Sequence, residues 1–451
     1  MVDGDKLIPG PRTAAEVVAA VERQISGGDL SPGDRMPPVR DLAARLGLAP
    51  ATVGAAYRML GSRGSLVGRG RRGTFVTDRP ALTQPAPPPA VTGLTDLSRG
   101  NPDPRHLPDV TAAVAAAAAL PPVGYGDPPV DARLAGLLAD DLAADGVDPG
   151  HLCVVGGALD GVERVLGAWL RPGDRVATED PGYGPMLQLV GAMGFTPVGV
   201  PLDDRGPTVE GREAVLGGPG GAGGLGRSGV AAVVVTPRAQ NPTGAAVDGG
   251  RAADLAAVLA ARPGTLVVVD DHAGAVAGAP FRWMVGTERW ATIRSMAKVL
   301  GPDLRVAVVA GDAVTVGRVA GRQALGTGWV PHLLQRTVAE LLSHPGLGNR
   351  LASAAADLEG RRRLVIDRLA AAGVAATGRS GFNVWVPVDD EARVVAAMQH
   401  RGFVLRPGAG FRLASGPGVR LTVTGHGPDV LAAAADALAS VVSDRAGVRI
   451  G

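Results

Sequence analysis

Of the 45 basic residues in this 451-residue chain, two are lysines, Lys6 and Lys298, and the rest are arginines. The chain is rich in alanine, with 67 glycines and 37 prolines, a bias typical of GC-rich codons, which put arginine wherever a cation alone suffices. A lysine kept mid-chain marks a place that needs an amine. An amine can lose its proton and attack, whereas a guanidinium stays charged. Lys298 stands in SMAKVLGPDLRVAVVAG. Upstream, Asn241 in TPRAQNPTG and Asp270 in VVVDDHAG each follow an apolar run. A lone lysine, a strand-end aspartate and a strand-end asparagine on one sheet edge suit imine chemistry. Pyridoxal phosphate (PLP) is held as an imine by a lysine, and an aspartate keeps its ring nitrogen protonated so that the ring accepts electrons. The expectation is PLP bound as a covalent imine to Lys298.

A second chemistry sits at the other end of the chain. Residues 1–80 hold 12 basic and 8 acidic side chains, while the remainder holds 33 and 35, so a basic module precedes a slightly acidic body. Three helical stretches, 14–25, 39–46 and 51–63, are separated by the turns SPGDRMPP and LGLAP. Then LVGRGRRGTFV reads as two short strands around a Gly/Arg tip. Helix, helix-turn-helix and basic hairpin describe a winged helix-turn-helix, whose second paired helix enters the major groove of double-stranded DNA. Arg35 and Arg40 flank the first helix of that pair, and Thr52 and Arg58 lie on or near the recognition helix. Arg69, Arg71 and Arg72 at the wing tip suit phosphate or minor-groove contact.

These groups need a scaffold, and the rest of the chain describes one. RPALTQPAPPPAVTG, 79–93, reads as a semi-rigid linker. The division is a DNA-binding domain at 1–78, a linker at 79–94, and a body at 95–451 with a large part to about 330 and a small lobe at about 331–451. In the body, β-branched runs at 175–177, 230–235, 265–269, 292–294 and 306–309 alternate with alanine-rich helical stretches, an α/β pattern with a mostly parallel sheet. After about residue 330 come a long helix at 351–372, strands at 382–386 and 419–423, and a last helix, an α+β lobe. The patch GGPGGAGGLGRSG at 217–229 reads as a surface loop.

Composition closes off other classes. A hydrophobic fraction of 46% excludes global disorder, and the single Cys153 excludes an intramolecular disulfide and a multi-cysteine zinc site. His106, His151, His332, His344, His400 and His426 lack metal-ligand spacing, so no metal is expected. The start has no apolar core segment, and the longest apolar run, 111–123, is too short to span a bilayer and is broken by prolines, so a cytoplasmic, membrane-free protein is expected.

SPGDRMPPVRDLAARLGLAPATVGAAY and GRRGTFV closely resemble the GntR family of DNA-binding domains. One departure is Ala49-Pro50, where the family usually has Ser-Arg before its Thr-Val. The body resembles the fold-type I, aminotransferase-like PLP proteins over 95–451, and the order of the two parts resembles the MocR subfamily of regulators. The resemblance implies that Lys298 is the imine lysine, Asp270 the ring-nitrogen aspartate and Asn241 the partner of the ring hydroxyl. It implies that Tyr183 in EDPGYGP stacks on the ring, and that Gly157 and Ala158 in GGAL hold phosphate at a helix start with Ser295 and Arg305. Tyr125 in GYGDP would reach the phosphate of the partner subunit in a homodimer, and Arg420 in GVRLTV would pair a substrate carboxylate.

Three departures stand in the body: His272 where the family has a tyrosine that donates to the ring hydroxyl, a histidine expected to bind the cofactor and able to donate there in its place, Ala297 where the family commonly has a small hydroxyl residue, and Val130 where a glycine is expected. The functional expectation is a DNA-binding regulator whose body senses PLP, or the imine that PLP forms with an amino acid or related amine. The alternative is an active aminotransferase with a vestigial DNA-binding domain, and a third reading is a repressor whose body no longer binds PLP.

Overall fold

The computed structural model describes residues 13–26, 29–62, 65–68, 70–77, 93–217, 229–282 and 286–443. The proline-rich linker and the middle of the Gly-rich patch lie outside them. The chain divides into two units, Met1–Pro89 and Ala90–Gly451.

In the first unit the helices run Ala14–Ser26, Val39–Leu46 and Pro50–Ser62. Gly47, with φ 66°, ends the second helix in a left-handed cap and so makes the tight turn to the third. Pro50 opens the third helix, where a missing amide hydrogen costs nothing. The antiparallel hairpin Leu66–Gly68 and Thr74–Val76 pairs Leu66 with Val76 and Gly68 with Thr74. Val17, Val21, Leu42, Val53 and Leu60 form a sealed core beneath it. The Tyr57 hydroxyl donates to the Pro37 carbonyl at 2.7 Å, tying the third helix to the turn before the second.

The second unit is built on an eight-stranded sheet. Its order is Leu152–Val155, Ala307–Gly311, Trp290–Ser295, Leu266–Asp271, Val230–Val235, Arg175–Asp180, Thr196–Asp203 and Gly206–Pro207. Ala307–Gly311 runs antiparallel to both neighbours, and Gly206–Pro207 is antiparallel at the far edge; the other pairings are parallel. Both faces are covered, which is why the strands are apolar at successive positions. Val162, Val165 and Leu166 of the helix Ala158–Trp169 fill one face. Leu134, Leu138 and Leu142 of Ala132–Ala144, with Leu255 and Leu259 of Gly249–Ala260, fill the other.

Three strands extend further than their apolar runs: Arg175–Asp180, Leu266–Asp271 and Trp290–Ser295. Hydrophobic patterning stops at the first polar residue, while the hydrogen-bonded ladder continues through it. Among the polar ends, Glu179 and Asp270 line the site.

The small lobe carries the antiparallel strands Asn383–Pro387, Gly418–Thr422 and Arg406–Pro407 under the helices Leu347–Ala371, Glu391–His400 and Pro428–Ser443. A two-residue strand, Thr95–Asp96, pairs in parallel with Phe403–Val404 and starts the body inside this lobe. Among the described residues no helix is long and apolar enough to cross a membrane.

Leu166→Ala and Leu255→Ala, one on each face of the sheet, are each expected to lose about 2–5 kcal/mol in urea unfolding. Leu325→Ala, at a side chain 89% exposed, is expected to stay within about 0.5 kcal/mol.

Candidate functional site

The strand Leu266–Asp271 ends in two consecutive aspartates, and strand alternation sends them to opposite faces. Asp271 is clamped. Arg238 donates to it from Nε and Nη2, both at 2.8 Å, and Arg294 donates from Nε at 2.8 Å. Arg294 also reaches Asp141 and Asp145, each at 2.6 Å, and both guanidinium groups lie over the Phe281 ring. Burial pushes the Asp271 carboxyl up, and the Arg238 and Arg294 contacts outweigh it and leave it lowered. Asp270 is equally buried but unpaired: its Oδ1 has no hydrogen-bond partner. Burial first, then the Asp271 and Glu179 charges, push it up to about 7. A buried carboxylate oxygen without a donor calls for one, and a protonated ring nitrogen would supply it.

The segment after Val230–Val235 swings across this strand end. Gln240 is fully used: its Nε2 donates to Glu179 Oε2 at 3.0 Å and to the Pro181 carbonyl at 2.9 Å, and its Oε1 accepts from Thr243. Gly244, at φ 68°, is a position where a Cβ would stand 2.8 Å from the Asn383 carbonyl, so the NPTG turn must end in glycine. The Tyr183 turn is fixed from the small lobe. Asp180 accepts from the amides of Leu413, Ala414 and Ser415 and from the Ser415 hydroxyl, at 2.7–2.9 Å. Between Tyr183, Thr236 and Asp270 lies a small cleft, partly open to solvent.

Lys298 lies in the turn after Trp290–Ser295, half-buried, with its Nζ donating to the Gly100 carbonyl and 5.5 Å from the Phe382 ring centre. Burial, then the Arg420 charge, draw its amine down to about 8. Arg420 is 5% exposed and has no carboxylate partner: Nη1 donates to Asn241 Oδ1 at 2.8 Å, Nη2 to the Ser98 carbonyl, and Nε to nothing. Burial, then Arg406, lower it to about 10. A buried guanidinium held only by neutral oxygens has the geometry to take a carboxylate.

At the other end of the site, Gly157 caps the helix Ala158–Trp169 with φ 121°. A Cβ there would fall 2.7 Å from Arg305 Nη2, so the backbone turn and the guanidinium share a space that only glycine leaves open. Helix start and arginine together suit an anion. Ser295 is buried at the end of its strand, its Oγ accepting from the Ala297 amide at 3.2 Å. Tyr183 feels both ends: burial and Asp270 raise its hydroxyl, and Arg420 and Arg305 oppose them.

The structure therefore gathers Lys298, Asp270, Asn241, Tyr183 and Arg420 at one site, with Gly157, Ala158 and Arg305 at its electropositive end. Tyr125 is apart, 98% exposed, its ring edge-on to Trp329. His272 sits close by, but its Nε2 lies 3.0 Å from the Ala239 carbonyl. Missed by sequence reasoning were Asp271, Arg238, Arg294, Gln240 and Asp180, each acting through a partner distant in sequence. Asp103, His106 and Asp357 cluster at metal-like spacing, yet Arg361 already pairs with Asp103 at 2.9 Å and Asp357 at 2.6 Å.

In the first unit Arg40, Arg58 and Arg72 are exposed and Thr52 is half-buried. Arg35 packs against the wing, its Nε 2.9 Å from where a Gly73 Cβ would stand. Arg69 and the Arg71 side chain lie outside the described residues.

Fold and site define an aminotransferase-type body following a winged-helix unit. Residues 92–438 match the aminotransferase class I and II family, and residues 13–76 match the gntR family of bacterial regulatory proteins. The chain is 35% identical over 428 residues to the vitamin B6 salvage pathway transcriptional repressor PtsJ of Salmonella typhimurium, covering 94% of this chain and 95% of that one. It is 27% identical to the transcriptional regulator TauR of Rhodobacter capsulatus, covering 87% and 88%. Among solved structures, kynurenine aminotransferase of Pyrococcus horikoshii superposes with a TM-score of 0.69 at 21% identity over 79% of this chain and 92% of that one. The chain belongs to the aminotransferase class I and II family through its body and, with the GntR unit ahead of it, to the MocR subfamily of GntR-type regulators. It is a transcriptional regulator with an aminotransferase-like body, and the alternative of an aminotransferase with a vestigial DNA-binding domain is disfavoured.

Two outcomes follow from the geometry. Asp180→Ala removes the acceptor of four donors and is expected to cost about 2–3 kcal/mol. Hydrogen exchange of the Leu413, Ala414 and Ser415 amides should quicken. The Lys298 amine is neutral above about 8, so its acylation rate in the PLP-free chain should rise with pH through that value and level off. An ordinary lysine would keep rising to about 10.4.

Proposed function

We propose that this regulator binds PLP in its body and that occupancy of that site, by PLP or by PLP joined to an amino acid or related amine, sets the DNA affinity of the winged-helix unit in a homodimer. The observation that carries the reading is the unpaired Asp270 carboxylate facing the same site as the one lysine of the body. PLP brings an electrophilic carbon for an amine and an electron-withdrawing ring. The chain's own groups divide the remaining work. Lys298 offers an amine that gives up its proton near pH 8, below the ordinary lysine range, because it is buried beside Arg420. Asp270 would accept from the ring nitrogen, and the ion pair would hold its carboxylate charged. Asn241 would meet the ring hydroxyl, Tyr183 would cover the ring, and Gly157, Ala158, Ser295 and Arg305 would hold the phosphate. Arg420 would bind the carboxylate of an amino-acid effector, giving up part of its hold on Asn241 and Ser98.

Tyr125 supports the dimer part of the reading. An almost fully exposed tyrosine beside Trp329 is a side chain with a second surface to meet, and in the homodimer it would complete the partner's phosphate site. For such a site to regulate, the ligand must bind two arrangements of the dimer unequally. Arg35, Arg40, Thr52, Arg58, Arg69, Arg71 and Arg72 would face the operator.

Gel retardation of DNA from upstream of the chain's own gene is expected at low salt, and no retardation at any low-salt concentration would overturn the regulator's DNA contact. Arg58→Ala and Arg72→Ala should each weaken binding and flatten the slope of log affinity against log salt by about 1 for each phosphate no longer neutralised. Lys298→Ala, and Lys298→Arg equally, should abolish the absorbance band of PLP joined to the lysine.

A further inference from the structure

We propose that His272 is a positioning residue: it holds the left-handed Ala239, and through it the Asn241 amide, and does not face the cofactor as a hydrogen-bond donor. This deepens the cofactor site proposed above and rests on it. Ala239 has φ 54° and is the one non-glycine residue with positive φ among those described. L side chains seldom adopt that conformation, so surrounding contacts must impose it. The contacts are present on both sides of the residue. The Ala239 amide donates to Ser380 Oγ at 2.6 Å, and the Ala239 carbonyl faces His272 Nε2 at 3.0 Å. Gly381 closes the back: a Cβ there would stand 2.3 Å from the Ala239 Cβ.

A carbonyl can only accept, so Nε2 carries the proton of this hydrogen bond. The charges felt by the ring are the Lys298 and Arg238 cations and the Asp271 carboxylate. Burial, then Lys298, draw His272 down to about 4, and the ring is neutral at neutral pH. A neutral imidazole that donates through Nε2 has only a lone pair at Nδ1. It therefore has no second N–H for the ring hydroxyl, unlike the donating tyrosine of the family resemblance. What His272 has instead is leverage. Ala239 directly precedes Gln240, whose amide is wholly committed, and Asn241, whose Oδ1 receives Arg420. Releasing Ala239 would let the Asn241 side chain and its hold on Arg420 drift together.

A double-mutant cycle on the full chain tests this with His272→Ala, Ala239→Gly and the pair combined. PLP affinity is read by absorbance titration, and urea midpoints are read without PLP. His272→Ala is expected to weaken PLP about fivefold, the loss of one buried hydrogen bond. With Ala239→Gly present the same change should weaken it less than about twofold, because glycine adopts positive φ unaided. His272→Gln, whose amide can donate to the same carbonyl, should restore most of the affinity. An equal loss in both backgrounds would mean that the imidazole touches the cofactor itself and would overturn the proposal. If no variant and no parent chain binds PLP, the cofactor site fails, and the urea midpoints still decide the histidine's role: non-additive effects support it and additive effects refute it.

Discussion

The site depends on the burial of one carboxylate between two guanidinium groups. Asp271, held by Arg238 and Arg294, pins the end of the strand Leu266–Asp271 to the far side of the sheet. Strand alternation then leaves Asp270 no choice but to face the cavity. Removing one member of such a buried set leaves an uncompensated charge and costs about 3–5 kcal/mol. The arrangement fixes position more than it adds stability, since well-packed apolar residues could replace it at little cost. Its consequence is directional: one aspartate is satisfied so that its neighbour can be left unsatisfied.

That contrast runs through the whole site. Asp270 has a carboxylate oxygen without a donor, and Arg420 is a buried cation without an anion. Lys298 has an amine drawn down to about 8 by burial beside that cation. Arg305 leans on a glycine turn at a helix start. In the proposed reading these groups would meet a ring nitrogen, a carboxylate, an aldehyde carbon and a phosphate. The polar framework around them, Gln240, Glu179 and Asp180, is hydrogen-bonded throughout. Asp180 matters most for shape, because it joins the turn bearing Tyr183 to the segment of the small lobe that places Phe411 under Arg420.

Much of this is legible in the sequence, and what escapes does so for physical reasons. Lys298 stands out because codon bias has cleared the background. The helix-turn-helix is legible because its turn residues and apolar spacing are local. Asp270 can be placed at a strand end, but the role of Asp271 depends on Arg238 reaching it from the segment after Val230–Val235 and Arg294 from the strand Trp290–Ser295. Asp180 contacts Ser415 across 235 positions, a pairing no local pattern encodes. Thr95–Asp96 is too short to show any periodicity. The tyrosine that His272 replaces suggests a cofactor donor at that position; its hydrogen bond runs instead to the strained Ala239, whose φ no composition reveals.

In the proposed reading the cofactor site and the DNA-binding unit share one equilibrium. Linkage makes this reciprocal: if PLP alters DNA affinity, DNA must alter PLP affinity by the same factor. The direct measurement is the PLP dissociation constant of the full chain with and without saturating operator DNA. Two different constants are expected, and their ratio should match the change in DNA affinity caused by PLP. Identical constants, with both ligands bound, would contradict it.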